Sequence, residues 1–298
     1  MAKNTKAVAA GNDVIKSRSQ FGEVFHRLLK NKGAVIGMIF LLVLVIIALI
    51  SPLAFDYETQ VIGQNMADRL QGPSAAHWFG TDEFGRDLFA RIMWGSRYSL
   101  IIGFGAVTIG LVVGTILGAI AGFKGGIWDQ LIMRFIDIFY SIPNIMIAVV
   151  IVSVLGTSTV NLVIALSFSA ATGFCRVVRA AVMTVRDQEY VESSYAMGLP
   201  TWKIIAKHIL PNCLSPIIVQ YTLQVGTTII SASSLSFLGI GVPAPAPEWG
   251  ALLSGGRSRM RDASYLCVLP GLAILFTVLA LNLLGDGLRD ALDPKLKK

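Results

Sequence analysis

Long apolar runs separated by short polar stretches dominate this chain and limit what it can fold into. The first run, residues 33–55, contains no charged residue and exceeds the roughly 20 residues that a helix needs to cross the hydrocarbon core of a membrane. Within lipid, a helix satisfies all backbone hydrogen bonds inside a single segment. The sequence therefore predicts an all-α polytopic membrane protein.

The same pattern recurs five more times along the chain. Hydrophobic residues make up 54% of the sequence and charged residues 14%, and the mean hydropathy of +0.67 is too high for a soluble globular domain. The six predicted spans cover residues 33–55, 98–123, 131–155, 160–174, 214–240 and 265–284. Pro143 lies within the third span and should bend it.

The distribution of positive charge predicts which segments face the cytoplasm. If the N-terminus is inside, every lysine falls in an inside segment, whereas the outside segments carry arginines offset by acids. The predicted divisions are a cytoplasmic tail (1–32), a first transmembrane helix (33–55), an extracytoplasmic segment (56–96), a transmembrane core (97–290) and a second cytoplasmic tail (291–298). Topology thus accounts for the net charge of +7, and no nucleic-acid partner is expected.

Two features inside the spans predict helix packing. Gly110, Gly114, Gly118 and Gly122 recur every four residues and form a ridge that lets helix backbones approach closely in lipid. Arg134 and Asp137, at i,i+3 spacing, favour a structural ion pair over a transport site. The Ser- and Thr-rich fifth span is expected to form hydrogen bonds across helices or to line a wet path.

Residues 189–211 interrupt the apolar pattern and are predicted to form two short helices joined at a corner, here called the knuckle. Residues 189–197 suit the first helix, Gly198 allows a sharp bend, and Pro200 suits the start of the second. Pro211 should end that second helix, residues 201–209.

The second helix of the knuckle is predicted to be amphipathic, with Trp202, Ile205 and Ile209 on one face and Lys203 and Lys207 on another. Such a unit suits docking into a groove of another protein. The alternative is an ordinary cytoplasmic loop whose amphipathicity is accidental.

The spacing within the knuckle favours the docking interpretation. Glu192, Gly198 six residues later, and Leu210-Pro211 resemble the E-A-A-x3-G-x9-I-x-L-P loop of ABC-importer permeases. Ser193 and Ser194 replace the two alanines and His208 replaces the isoleucine. In such permeases this loop is the coupling helix that sits in a cleft of the ATPase subunit, which implies that Glu192 anchors the loop and that Gly198 must stay small.

Three further stretches extend the resemblance over nearly the whole chain. They are HWFGTDEFGRD from residue 77, SFLGIGVPAPAPEWG from residue 236 and NLLGDGLRDALDPKLK from residue 282. Together they resemble the C-type permease of the dipeptide, oligopeptide and nickel importer family, which implies a type I ABC-importer bundle in the bacterial cytoplasmic membrane. The implied partners are a second permease, two cytoplasmic ATPases and an extracytoplasmic solute-binding protein.

The sequence shows no sign of catalysis by the chain itself. It lacks the G-x-x-x-x-G-K-[ST] loop that holds nucleotide phosphates, so ATP and Mg²⁺ are expected on the partner ATPases. The three histidines lie too far apart in the sequence to suggest a shared site. The three cysteines are scattered, mostly in apolar runs, and are interpreted as packing residues. No cofactor or metal is expected in this chain.

The outer stretch 243–261 and part of the stretch 77–97 are expected to face the binding protein, because they are stiff, charged and on the outside. The residues expected to face it are Trp249, Arg257, Arg259 and Arg261. The alternative is a structural plug that packs on the bundle.

These features predict a permease subunit that imports dipeptides or oligopeptides. Import of nickel or glutathione by the same architecture is the nearest alternative. An ion-coupled secondary transporter is the alternative from another class of protein. It would require ionisable residues in the middle of the membrane spans, and the predicted spans have none there. A membrane scaffold without transport is the third.

Overall fold

The computed structural model of the protein describes residues 20–292, which form eleven α-helices. In chain order these are α1 Gln20–Lys30, α2 Lys32–Ala54, α3 Leu88–Lys124, α4 Gly126–Tyr140, α5 Asn144–Leu155, α6 Thr159–Arg186, α7 Glu189–Ala196, α8 Thr201–Ile204, α9 Leu214–Phe237, α10 Trp249–Gly256 and α11 Tyr265–Leu292. The predicted tails fall largely outside the described residues, although α1 lies within the first of them. The all-α prediction is confirmed.

Five continuous helical segments are long and apolar enough to cross a membrane. They are α2, α3, α6, the run Thr201–Phe237 that includes α8 and α9, and α11. The helices extend beyond the predicted spans, because α3 begins at Leu88 and α11 continues to Leu292. Residues 88–96, predicted to belong to the extracytoplasmic segment, are therefore the first turns of α3.

The third predicted span consists of two separate helices joined at a sharp corner and is not a single bent helix. Helices α4 and α5 meet at 86° across residues 141–143, so the pair is either one broken span or a re-entrant loop. Pro143 caps the start of α5, because a proline has no N–H to donate and disfavours helical geometry in the residue before it. Residues 20–292 thus contain five candidate spans, or six if this pair counts as one.

The glycine ridge of α3 lies against α6. A Cβ added at Gly114 would lie 2.6 Å from the Ala171 carbonyl oxygen, and one at Gly118 would lie 2.5 Å from that of Cys175. Gly110 and Gly122 meet α6 in the same way, at residues 167–171 and 179–182. The close approach of the two backbones leaves no space for side chains on the ridge, which is the packing that the spacing predicts.

The ion pairs differ from the predicted one. Asp137 pairs with Arg176 of α6 at 2.6 Å and not with Arg134 on its own helix. Asp129 accepts two hydrogen bonds from Arg179, at 2.5 and 2.6 Å. Both pairs join α4 to α6, which a spacing rule within one helix cannot anticipate.

Residues 55–87 and 241–264 pack together at the end of the bundle opposite the knuckle. The Tyr265 hydroxyl donates to the carbonyl oxygens of Gln71 and Thr81, at 3.0 and 2.9 Å. The Arg91 guanidinium, which is 4% exposed, donates to the Val61 carbonyl at 2.9 Å. These contacts form a folded cap over the helix ends.

Candidate functional site

The knuckle has the predicted corner. Helix α7 ends at Ala196, and Gly198 follows with φ +74°, a conformation that side chains other than glycine rarely adopt. The Gly198 N–H donates to the Tyr195 carbonyl at 2.8 Å and the Leu199 N–H to that of Ser194 at 3.3 Å. Pro200 then precedes α8.

The second half of the knuckle differs from the prediction in two ways. Pro211 does not end the helix, because the chain continues through a π-helical turn, Ile205–Ile209, and a 3₁₀ turn, Leu210–Cys213, into α9. The Leu210 N–H bonds to the Ile205 carbonyl five residues back. This wider turn accommodates a proline that cannot donate a hydrogen bond and whose ring would collide with the preceding turn.

The buried face of this segment is also different. Trp202 is 69% exposed, whereas Ile204 and Ile209 are fully buried. The π-helical turn inserts an extra residue and rotates the following positions, so the strict 3.6-residue period that grouped Trp202 with Ile209 fails here.

An apolar cluster fixes the knuckle to the ends of α3 and α6. Val191, Ile204 and Ile209 pack with Ala119 of α3 and Val182 of α6. The Tyr195 ring also stacks on Phe123, with ring centroids 5.8 Å apart and an interplanar angle of 11°. The knuckle is therefore packed directly on these two helix ends.

The motif residues divide between this buried side and the exposed side. Ser194 is buried and its hydroxyl donates to the Tyr190 carbonyl at 2.8 Å. Glu192, Ser193, Gly198 and Pro211 are exposed, and His208 and Leu210 are half-buried. Within this chain the anchor is Val191 together with Ser194 rather than Glu192.

The knuckle exposes several large apolar side chains beside its charged ones. Met197 is 71% exposed, Trp202 69% and Tyr195 51%. Partial burial raises the pKa of the Tyr190 hydroxyl above its usual value. Large apolar side chains exposed at one corner of a fold are typical of a protein interface.

The four residues predicted to face a binding protein also differ in how exposed they are. Arg257 and Arg261 are exposed and Arg259 is half-buried. The prediction for Trp249 is wrong, because its side chain is 1% exposed and its indole N–H donates to the Ile92 carbonyl at 3.0 Å. Helix α10, which begins at Trp249, packs inside the bundle against α9 and α11.

Sequence reasoning missed Glu248, a fully buried carboxylate that caps α10. It accepts the N–H groups of Gly250 and Ala251, both at 2.9 Å, and the Ser99 hydroxyl at 3.3 Å. Capping the helix in this way satisfies the first backbone donors of α10. A carboxylate directly before an apolar helical stretch is the sequence signal that could have identified it.

The stretch that begins at His77 forms a network of hydrogen bonds. Asp82 accepts the N–H groups of Phe84 and Arg86, at 2.9 and 3.0 Å, and its second oxygen accepts the Arg86 Nε–H at 2.7 Å. Asp87 caps α3 and pairs with His77 at 2.8 Å. The stretch thus builds the outer cap, and within residues 20–292 no group of three metal-ligating side chains occurs.

Family comparisons identify this architecture. Residues 114–298 match the family described as binding-protein-dependent transport system inner membrane component. Residues 19–73 match the N-terminal TM domain of oligopeptide transport permease C.

Curated relatives match over nearly the whole chain. A dipeptide transport system permease protein of Alkalihalophilus pseudofirmus is 47% identical, covering 94% of this chain and 91% of the relative. A glutathione transport system permease protein of Pectobacterium atrosepticum is 42% identical and covers 98% of each chain. Its Escherichia coli counterpart is 43% identical over 94% of this chain and 92% of the relative.

Among solved structures, the methionine ABC transporter in an inward-facing conformation shares the fold. The TM-score is 0.56 at 20% identity, and the match covers 69% of this chain and 97% of that one. The resemblance read from the sequence motifs is thereby confirmed. The chain belongs to the family of inner-membrane components of binding-protein-dependent transport systems, among the ABC-importer permeases of the dipeptide and oligopeptide group.

Proposed function

We propose that this chain pairs with a second permease to form a path through which an ABC importer moves dipeptides or oligopeptides into the cell. The family supports the transport role, and relatives named for dipeptide and glutathione transport support a solute that contains peptide bonds. The observation that carries the mechanism is the knuckle, which packs on α3 and α6 on one side and exposes large apolar side chains on the other.

The knuckle is proposed to face the cytoplasm, where it docks with one of two ATPase subunits. The lysine distribution supports this orientation, with both termini inside. In this arrangement the ATPases bind ATP and Mg²⁺ and the chain itself is not catalytic. Closure of the ATPases would push the knuckle, and the cluster on α3 and α6 would transmit the movement to the path.

Trp202 provides the direct test of docking. Because exposed Trp side chains are frequent energetic centres of interfaces, Trp202→Ala should weaken ATPase binding by ~2 kcal/mol, roughly thirtyfold in affinity. The control is Trp128→Ala, which removes a 51% exposed indole outside the knuckle. Co-purification of the ATPases and uptake of a labelled dipeptide are measured, and normal values for Trp202→Ala would refute docking at this surface.

Gly198 provides a second test. The space around its Cβ position is empty, with no atom within 4 Å, so within this chain only its backbone conformation restricts substitution. Asparagine tolerates that conformation better than other residues. Gly198→Asn should therefore insert and fold normally yet abolish uptake, because its side chain occupies the docking surface. Uptake at the wild-type rate would mean that Gly198 only terminates α7.

The extracytoplasmic binding protein is proposed to contact the outer cap at Arg257 and Arg261. Site-specific crosslinkers at these positions should capture the solute-loaded binding protein, whereas one at the lipid-facing Leu42 should not. The solute that this binding protein retains on purification separates dipeptides from glutathione and nickel. Accumulation of solute by the chain alone in a proton gradient would instead support a secondary transporter.

A further inference from the structure

One face of α9 is polar along most of its length. Gln220, Gln224, Thr227, Ser231 and Ser234 follow one another at intervals of three or four residues, so they lie on a single side of the helix. Thr227 is exposed and the other four are half-buried. We call these five residues the polar face of α9.

The other outward faces of the bundle have the opposite character. The exposed large side chains of α2, α3 and α11 at comparable depths are apolar. Examples are Leu42 at 59% exposure, Val112 at 54% and Leu275 at 56%. Hydrocarbon offers no hydrogen-bonding partner, so helix surfaces that meet lipid are apolar. The polar face of α9 is therefore directed toward something other than lipid.

The hydroxyl groups on this face are already satisfied. Those of Thr227, Ser231 and Ser234 each donate at 2.9 Å to a carbonyl of the preceding turn. The amides of Gln220 and Gln224 differ, because a single bond of 3.3 Å joins them to each other. Within residues 20–292 their remaining donor and acceptor groups have no partner, and an amide has capacity for several bonds.

These half-buried amides lie in the middle part of α9, beside the backbone of α6. Gln224 is ten residues from the start of the 24-residue helix α9, which corresponds to about 15 Å and lies close to the middle of that helix. Opposite them on α6 is Gly173, where an added Cβ would still be 3.9 Å from both the Gln220 nitrogen and the Gln224 oxygen. The two amides thus face the bare backbone of Gly173, with room between them and α6 for no more than a methyl group.

We propose that the Gln220 and Gln224 amides bind the peptide bonds of the transported solute at mid-membrane. A carboxamide presents the same acceptor and donor groups as a peptide bond, so the two can pair reciprocally. Every peptide carries this group whatever its side chains, so the contact recognises the class of solute and not its sequence. This inference rests on the proposed transport function and deepens it by naming the recognition chemistry.

The first test measures uptake by the complete complex of two permeases, two ATPases and the binding protein. The Gln220→Leu/Gln224→Leu variant should reduce uptake of a labelled dipeptide about tenfold, as expected for the loss of one or two hydrogen bonds. The control is Thr108→Val, since Thr108 is an exposed hydroxyl of α3 that pairs with Tyr221 outside the polar face. Uptake by the double variant within twofold of wild type would overturn the proposal.

The second test measures water access and does not require the glutamine variants to fold. The native cysteines, Cys175, Cys213 and Cys267, are buried and are replaced by alanine before a cysteine is introduced. A membrane-impermeant thiol reagent should label Thr227→Cys in the complex and leave Leu42→Cys unlabelled, and dipeptide-loaded binding protein should slow the labelling. If Thr227→Cys stays unlabelled with and without ATP, the face is packed against protein or lipid, and the proposal fails.

Different results would refute the proposed transport function and the proposed role of the α9 amides. Absence of dipeptide uptake by the wild-type complex would refute the proposed function itself. Normal wild-type uptake combined with an unlabelled Thr227→Cys, or with an active double variant, would refute only the role of the α9 amides.

Discussion

The close contact between α3 and α6 allows a quantitative prediction about Gly114→Ala. The added methyl group would lie 2.6 Å from both the Ala171 carbonyl oxygen and the Phe174 Cβ. Neither atom is the end of a flexible side chain, so the helices must separate. Overpacking of this kind costs about 1–3 kcal/mol, and the gain in helix propensity offsets roughly 0.5–1 kcal/mol of it.

A control lies on the same helix. At Gly105 the added methyl group would lie 3.6 Å from a Val163 methyl group, an ordinary contact, so Gly105→Ala should be neutral or slightly stabilising. The two variants should differ by ~2 kcal/mol in the free energy of unfolding, or roughly 5 °C in melting temperature. Thermal unfolding of the purified complex in one detergent measures this difference. Equal melting temperatures would refute the view that the glycine ridge sets the distance between α3 and α6.

The remaining predictions concern the outer cap and α10. Asp82→Asn should destabilise the protein by about 3–5 kcal/mol, because it removes the carboxylate that lies 3.7 Å from the buried Arg91. The amount of folded protein in membranes measures this effect, and Glu83→Gln, the neighbouring half-buried carboxylate, is the control. Glu248→Ala should lower the melting temperature more than Glu248→Gln does, because only the amide retains an oxygen that can accept an N–H from the start of α10. Equal effects of the two substitutions would contradict a capping role.

The apolar runs predicted which segments are helical but not where the helices begin. Hydropathy reports the part of a helix that meets lipid, and α3 starts ten residues before the predicted span because its first turns pack within the outer cap. Arg91, in those turns, is buried and hydrogen-bonded to the Val61 carbonyl. In the sequence, a charged residue in this stretch indicates that the membrane span has not yet begun. In the structure, the same residue lies within α3.

Contacts between segments that are distant in the sequence were the second feature that could not be predicted. Trp249 follows three prolines and precedes several arginines, a polar setting that predicted an outward position, yet α10 folds back into the bundle and buries it. Asp137 finds its partner at Arg176, on a different helix. The corner at Gly198 could be predicted because local backbone geometry decides it.

The continuity of the chain links the knuckle to the proposed peptide contact. Residues Thr201–Phe237 form one uninterrupted helical run, so Trp202 on the docking surface and Thr227 on the polar face of α9 belong to the same rod, about 38 Å apart along its axis. The π-helical turn before Pro211 is the point where this rod can flex, since a wide turn and a missing N–H weaken the backbone ladder there. In the proposed mechanism, a push on the knuckle would reach the polar face by two routes: through α9 itself, and through the cluster that packs the knuckle on α3 and α6. If the glycine ridge keeps α3 and α6 together, the same displacement would move α6 and α9 on both sides of the Gln224 amide, and the proposed docking at the knuckle would be coupled to the shape of the proposed path.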